Sequence, residues 1–302
     1  MKFTNILKTI ILILIFVNIV PPLWHNFTAQ WLENIEPKTK VAYMTITDLN
    51  TSDTYSTYLR EYFKNPEIKA IFLHIESDGG NAGASQALVL EIQALKNKYP
   101  KPVIAYSENM CTSGGYYIAC TADHIITTGA CLVGNIGSAF TSQLNLKKLL
   151  NEHNIDAITI ASGKYKTVFN NFQELSEDHK KMLQTICDDI YQQFITFVAQ
   201  QRHLQVNTAQ DWADGKLFSG QQAKQLHLTD TIGSKFDAIQ FLKKTLIPSD
   251  KKIEWVRPPE HVLWKDWLFA TPEAIDTIEY KAQHTFLHAI TALFNKKTIA
   301  VE

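Results

Sequence analysis

Two glycine-rich turns have residue types from which an acyl-transfer site can be built: Ser77-Asp78-Gly79-Gly80 and Thr112-Ser113-Gly114-Gly115-Tyr116-Tyr117. Each follows an apolar run that reads as a strand, and the second opens a short helical pattern. Acyl transfer needs a hydroxyl at a helix start, where the dipole favours developing negative charge. It also needs two backbone N–H groups aimed at one oxyanion. Glycine lets backbone come close to a substrate because no Cβ intervenes. Ser113 beside Gly114 meets the first need, and Gly79 or Gly80 in the neighbouring turn could supply the second donor. Either turn alone is a tight loop like many others; together, on successive strands, they form a candidate site.

A serine nucleophile needs a base. The chain has ten histidines, so a Ser-His-Asp arrangement has to be weighed. His74 lies inside an apolar strand and reads as a packed core histidine, and His124 follows Asp123 near the nucleophile helix. Neither stands in a glycine-rich loop. A lysine serves equally well once burial lowers its pKa from ~10.4 toward ~7–8. Lys164 and Lys166, in Ser162-Gly163-Lys164-Tyr165-Lys166, are the lysine candidates.

These motifs, in this order, resemble the S49 signal peptide peptidase family. Its S-P-G-G turn is matched by Ser77 to Gly80, and its A-S-G-G-Y-Y-I-A nucleophile motif by Thr112 to Ala119. Its G-S-I-G-V turn is matched by Gly134 to Ser138, and its S-G-x-x-K segment by Ser162 to Lys166. A helix ending V-A-x-x-R is matched by Val198 to Arg202, and a D-G-[KR]-x-[FY]-[ST]-G-x-Q-A run by Asp214 to Ala223. The resemblance covers roughly Val41 to Leu242. It implies a crotonase/Clp-protease-like α/β fold and a Ser113–Lys166 dyad, with Gly80 and Gly114 as oxyanion donors. It also implies remnant signal peptides or other apolar peptides as substrates. The family builds its sites between protomers or repeats. With one repeat here, a homo-oligomer is implied. Three positions depart from the pattern: Asp78 replaces proline, Asn135 replaces serine, and His227 stands where the family often has glycine. An inactive scaffold and a crotonase-type acyl-CoA enzyme are the competing readings.

The elements that would position these residues alternate. Strands are expected at 41–47, 70–77, 102–107, 125–128, 136–140 and 157–160. Helices are expected at 53–63, 83–98, around 113–122, 176–202, 208–213, 220–226 and 234–246. Such alternation predicts parallel crossovers around a buried sheet. The protease domain is placed at 40–247, after a linker at 25–39 containing Pro37. Residues 248–302 read as an amphipathic extension carrying Trp255, Trp264 and Trp267, expected to pack on the domain or a neighbour rather than to lie in a membrane interface.

At residues 1–24, Lys2 and Lys8 precede an apolar run from Thr9 to Trp24 with no A-x-A cleavage site before His25. This reads as a retained signal anchor, with a cleaved signal peptide as the alternative. Basic residues before the span place the catalytic body outside the cytoplasm, on a single-pass anchor in the inner membrane. The formal net charge of −1 argues against a nucleic-acid partner. No zinc-type Cys/His spacing and no phosphate-binding loop occur, and the dyad chemistry calls for no metal or organic cofactor. Four cysteines without a framework spacing read as small buried residues.

Overall fold

The computed structural model describes residues 38–140, 144–247 and 251–259, together with Phe16. The apolar run at Thr9–Trp24, apart from Phe16, and most of the tail lie outside the described residues. Among the described residues no helix is long and apolar enough to cross a membrane.

The chain alternates as its pattern predicts. β1 (Lys38–Ile46), α1 (Asp53–Lys64), β2 (Ile68–Ile75), α2 (Ala82–Lys98) and β3 (Val103–Ser107) form the first half. β4 (Met110–Thr112), α3 (Gly114–Ala119), β5 (His124–Thr127) and β6 (Leu132–Gly134) follow. Then come α4 (Lys147–Glu152), α5 (Glu177–Arg202), α6 (Ala209–Trp212), β7 (Leu217–Ser219) and α7 (Gly220–Gln225). β8 (Thr231–Ile232), α8 (Lys235–Leu246) and β9 (Lys252–Val256) complete the described elements.

Six strands form one sheet in the order β8-β5-β3-β2-β1-β9, and every pairing in it is parallel. A three-stranded sheet, β4-β6-β7, carries one parallel and one antiparallel pairing. Both faces of the large sheet are covered, which is why its strands are apolar almost throughout. Met44, Ile46, Ile71, Leu73 and Ile75 face one core, shared with Leu88 and Ile92 of α2. Tyr43, Phe72 and Tyr106 face the other, closed by Ala238 and Leu242 of α8. Trp255, expected in a separate tail, sits in β9 and pairs with β1 at Val41.

Helix starts follow local chemistry. Ser176 accepts a hydrogen bond from the His179 N–H and opens α5 with Glu177 and Asp178 in its first turn. Ser219 with Gln222, and Ser234 with Asp237, form capping boxes on α7 and α8. Arg202, at the end of α5, makes a bidentate contact with Asp230, at 2.6 and 3.2 Å, just before β8.

Two expected strands are absent. Residues 136–140 are irregular, and the extended piece is β6, ending at Gly134. Gly134 at φ 102° and Asn135 at φ 50° turn the chain out of extension there. Residues 157–160 have the alternation of a strand but no partner among the described strands; Ile158 is 85% and Ile160 96% exposed. Of the cysteines, Cys111, Cys120 and Cys131 are buried, and Cys187 is half-buried.

Candidate active site

Ser113 stands between β4 and α3 with φ 51° and ψ −124°. For a side chain with a Cβ this conformation is strained by about 1–3 kcal/mol and persists only where the surroundings dictate it. They do so here. The Ser113 N–H donates to Gly134 O at 2.8 Å, and its C=O accepts from Tyr117 N–H at 2.9 Å. One side of β4 is held by β6 and the other by Ser77: Ser77 N–H donates to Met110 O at 2.9 Å, and Thr112 N–H to Ser77 O at 3.0 Å. Every residue of α3 is buried, so Ser113 heads a helix embedded in the core.

The glycines explain how close the two turns lie. A Cβ on Gly79 would sit 2.6 Å from Ser113 Cβ and 2.9 Å from its Oγ. A Cβ on Gly114 would sit 2.2 Å from Ser85 Oγ, on the first turn of α2. Gly79 rather than Gly80 therefore touches the serine, but its N–H already donates to Ser77 Oγ at 3.2 Å. Gly80 is exposed, beside Leu49. Among the described residues, no backbone hydrogen bond engages the N–H of Gly80 or of Gly114. Asp78, which replaces the family proline, is exposed.

The lysines stand in a different environment. Lys166 is exposed, and its backbone N–H donates to Gly163 O at 3.1 Å. Lys164, also exposed, pairs with Asp178 at 2.5 Å. That hydrogen bond, then the Asp178 charge, holds its ammonium above the ordinary lysine range. No hydrogen bond joins Ser113 to either lysine within the described chain. Between Phe140 and Leu183 a cavity of about 260 Å³ lies beside the Lys166 loop, lined by Leu144, Thr167, Val168 and Phe169.

Other candidate groups are engaged elsewhere. His74 Nδ1 bonds the Tyr43 hydroxyl at 2.9 Å, and its ring stacks on Tyr106. His124 bonds Thr231 and stacks on Phe241. Burial, first of all, lowers the pKa of both, so neither carries charge near neutrality. Cys111, two residues before Ser113, is fully buried, and burial pushes its thiol well up, away from a thiolate nucleophile. Glu76 stands directly before the Ser77–Gly80 turn. Its carboxylate accepts hydrogen bonds from Glu108 N–H, Asn109 N–H and Asn109 Nδ2 at 2.8, 3.2 and 2.9 Å. The signal available was an acidic residue directly after a strand apolar enough to be core.

A parallel α/β sheet with a strained serine heading a buried helix, and a glycine pressed on its hydroxyl, has the arrangement acyl-transfer chemistry requires. The sequence profile described as Peptidase family S49 matches residues 95–247. A candidate protease of Synechocystis is 31% identical over 234 residues, 76% of this chain and 83% of that protein. A candidate protease of Methanocaldococcus jannaschii is 32% identical over 199 residues, 66% of this chain. A candidate signal peptide peptidase SppA of Enterococcus faecium is 31% identical over 190 residues, 63% of this chain. The matched stretch spans 63% of the Methanocaldococcus protein and 55% of the Enterococcus one. The chain belongs to peptidase family S49, as an SppA-like member.

Proposed function

We propose that the protein is a serine endopeptidase in which Ser113 is the nucleophile and Lys166 the general base. The observation that carries this reading is Ser113 itself, held at φ 51° with Gly79 against its hydroxyl. The neutral Lys166 amine takes the Ser113 Oγ proton as Oγ attacks the peptide carbonyl. The N–H groups of Gly80 and Gly114 hold the oxyanion. The protonated lysine then passes its proton to the leaving amine, and water hydrolyses the acyl-enzyme. No metal or organic cofactor takes part.

Lys166 is exposed in the single chain, and a lysine base needs a covered site to be neutral near pH 7. A second copy supplies that cover. Residues 155–167, with the side chains of Ile158 and Ile160 in solvent, dock against a neighbour in a closed, ring-like homo-oligomer. Each site then joins Ser113 of one copy to Lys166 of the next, on the crotonase/Clp-protease-like frame. The domain at 40–247 is tethered through residues 25–39 by the anchor at 1–24, single-pass in the inner membrane, with the body outside the cytoplasm. Of the extension at 248–302, the strand at 252–256 belongs to the large sheet of the domain. Substrates are extended apolar peptides, including remnant signal peptides, whose side chains enter the cavity beside Lys166.

Two measurements on the full chain test this: cleavage of apolar peptides, and labelling of Ser113 by a fluorophosphonate. Wild type cleaves and is labelled, and Ser113→Ala does neither. An active Ser113→Ala protein would overturn the nucleophile; a wild type that ignores the probe but binds acyl-CoA would replace the reading with a crotonase-type one.

A further inference from the structure

We propose that Glu76 is a positioning residue for this reaction: its carboxylate holds the Ser107–Asn109 turn, and through it the strand that presents Ser113. The proposal rests on Ser113 being the nucleophile. Glu76 follows the last residue of β2 and directly precedes Ser77. Its backbone N–H donates to Ile46 O at 2.9 Å, which ties it to the neighbouring strand β1. Its Oε1 accepts from Glu108 N–H at 2.8 Å, Asn109 N–H at 3.2 Å and Ser107 Oγ at 3.4 Å. Its Oε2 accepts from Asn109 Nδ2 at 2.9 Å. One carboxylate thus gathers the turn between β3 and β4, the turn that launches the Ser113 strand.

Two routes run from that turn to the serine. In the first, Ser77 pairs its backbone with Met110 and Thr112, fixing β4 up to the residue before Ser113. In the second, Asn109 O accepts from Leu132 N–H at 2.9 Å, which seats β6, and Gly134 at the end of β6 accepts the Ser113 N–H at 2.8 Å. Loss of the clamp frees the second route at its origin, so β6 and the Gly134 carbonyl that holds the Ser113 N–H shift. The Ser77 backbone pairs still tie β4 to the Ser77–Gly80 turn, so the serine turns at its own N–H relative to the Gly80 donor. That is a loss of alignment within the site rather than a loss of fold.

The surroundings favour a clamp over a further ligand site. His74 Nε2 lies 3.5 Å from Glu76 Oε1 and 3.9 Å from Glu108 Oε1. Those separations would also suit a shared cation. But Oε1 is already taken by the donors of the turn, and Lys235 stands near enough to oppose positive charge at His74. His74 Nδ1 bonds the Tyr43 hydroxyl, and its Nε2 faces the carboxylate at 3.5 Å without a hydrogen bond.

The test is the rate of Ser113 labelling by a fluorophosphonate, with kcat and KM on an apolar peptide, for the full chain. Glu76→Ala lowers kcat and the labelling rate in parallel, by about a hundredfold, because a misplacement of ~1 Å costs that much. KM stays within roughly twofold, since the loss falls on the reacting geometry. Glu76→Gln keeps an oxygen for the two backbone N–H groups but sets an amide against Asn109 Nδ2, and loses about tenfold. If Glu76→Ala does not fold, Glu76→Gln with wild-type melting and a lowered labelling rate supports the proposal. Wild-type kcat in a folded Glu76→Ala, wild-type labelling in Glu76→Gln, or losses that only follow the unfolded fraction overturn it. A wild type that is neither labelled nor active overturns the nucleophile reading, and this proposal with it.

Discussion

The two halves of the candidate site are built to different standards of completeness. Ser113 is surrounded: β6 on one side, Ser77 on the other, Gly79 against its hydroxyl, and a buried helix behind it. Lys166 stands on a segment whose residues from Asn151 to Tyr165 are all exposed, including Ile155, Ile158 and Ile160. Large apolar side chains fully in solvent lose the stabilisation that burial gives, about 1.5–3 kcal/mol each. On the proposed reading, a second copy covers the open half.

The sharpest way to break this comparison is at the two residues that define it. Ser113→Ala and Lys166→Ala each lower peptidase kcat by about a thousandfold or more, and the double mutant is little worse, because the pair acts as one unit. If the site is shared between copies, mixed assemblies of the two single mutants recover part of the activity. Recovery separates a shared site from one built within a chain; its absence, in oligomers shown to be mixed, assigns both halves to one copy. A lysine base also makes kcat/KM climb from pH 6 into the mildly alkaline range, and a flat profile argues against it.

Stability should divide along the same line. Leu73→Ala empties a fully buried position in β2 and costs about 2–5 kcal/mol in denaturant unfolding. Ile160→Ser, at 96% exposure, changes the unfolding of the isolated chain by no more than about 0.5 kcal/mol. Its effect appears instead in sedimentation, as weakened self-association. An Ile160→Ser protein that unfolds early but assembles normally would reverse the roles given to the two regions.

A smaller effect comes from pH, through buried groups of the domain. Burial raises the Asp230 carboxyl, but the Arg202 hydrogen bonds, the Ile125 N–H and the Arg202 charge outweigh it and leave its pKa lowered. A lowered carboxyl contributes stability that is present above its unfolded pKa of ~3.9 and is lost as pH falls through the folded value. His74 and His124, lowered chiefly by burial, contribute stability that is present above their unfolded pKa of ~6.5 and is likewise lost on acidification. Melting temperature therefore declines in two stages, first below about pH 6.5 and again below about pH 4. In Asp230→Asn the second stage shrinks.

Much of this was legible in the sequence because strands buried on both faces announce themselves by continuous apolar runs. β1, β2 and β3 fall within a few residues of their expected positions. Short elements were not legible. β4, β6 and β7 have three residues each, too few to show a period, and they are defined by pairing across the chain. The alternation at 157–160 is real, yet nothing in the described chain pairs with it, so periodicity alone over-reads it. At the site, the serine and the glycine turns could be found from residue type. The Glu76 contacts could not, since they depend on which turn folds back over the end of β2. Two departures from the family pattern acquire a physical meaning. Asn135 and His227 hold φ 50° and 60°, a conformation that suits glycine and is uncommon for other residues.

The mildest intervention bears on which lysine works. Lys164 and Lys166 are two residues apart and both exposed, so proximity to the motif does not separate them. Their partners do. Lys164 is committed to Asp178 at the start of α5, and that hydrogen bond stabilises the charged form, the wrong form for a base. Lys166 makes no side-chain hydrogen bond or ion pair with a described residue, so the proposed reading gives it, not Lys164, the role of base. Lys164→Ala therefore keeps activity near wild type and leaves melting unchanged within error, because an exposed ion pair contributes little. Asp178→Asn behaves the same way, and any small effect fades with added salt. Peptidase rates for Lys164→Ala and Lys166→Ala, measured side by side, decide the matter. A dead Lys164→Ala beside an active Lys166→Ala would move the base to Lys164 and would require Asp178 to release it in the assembled enzyme.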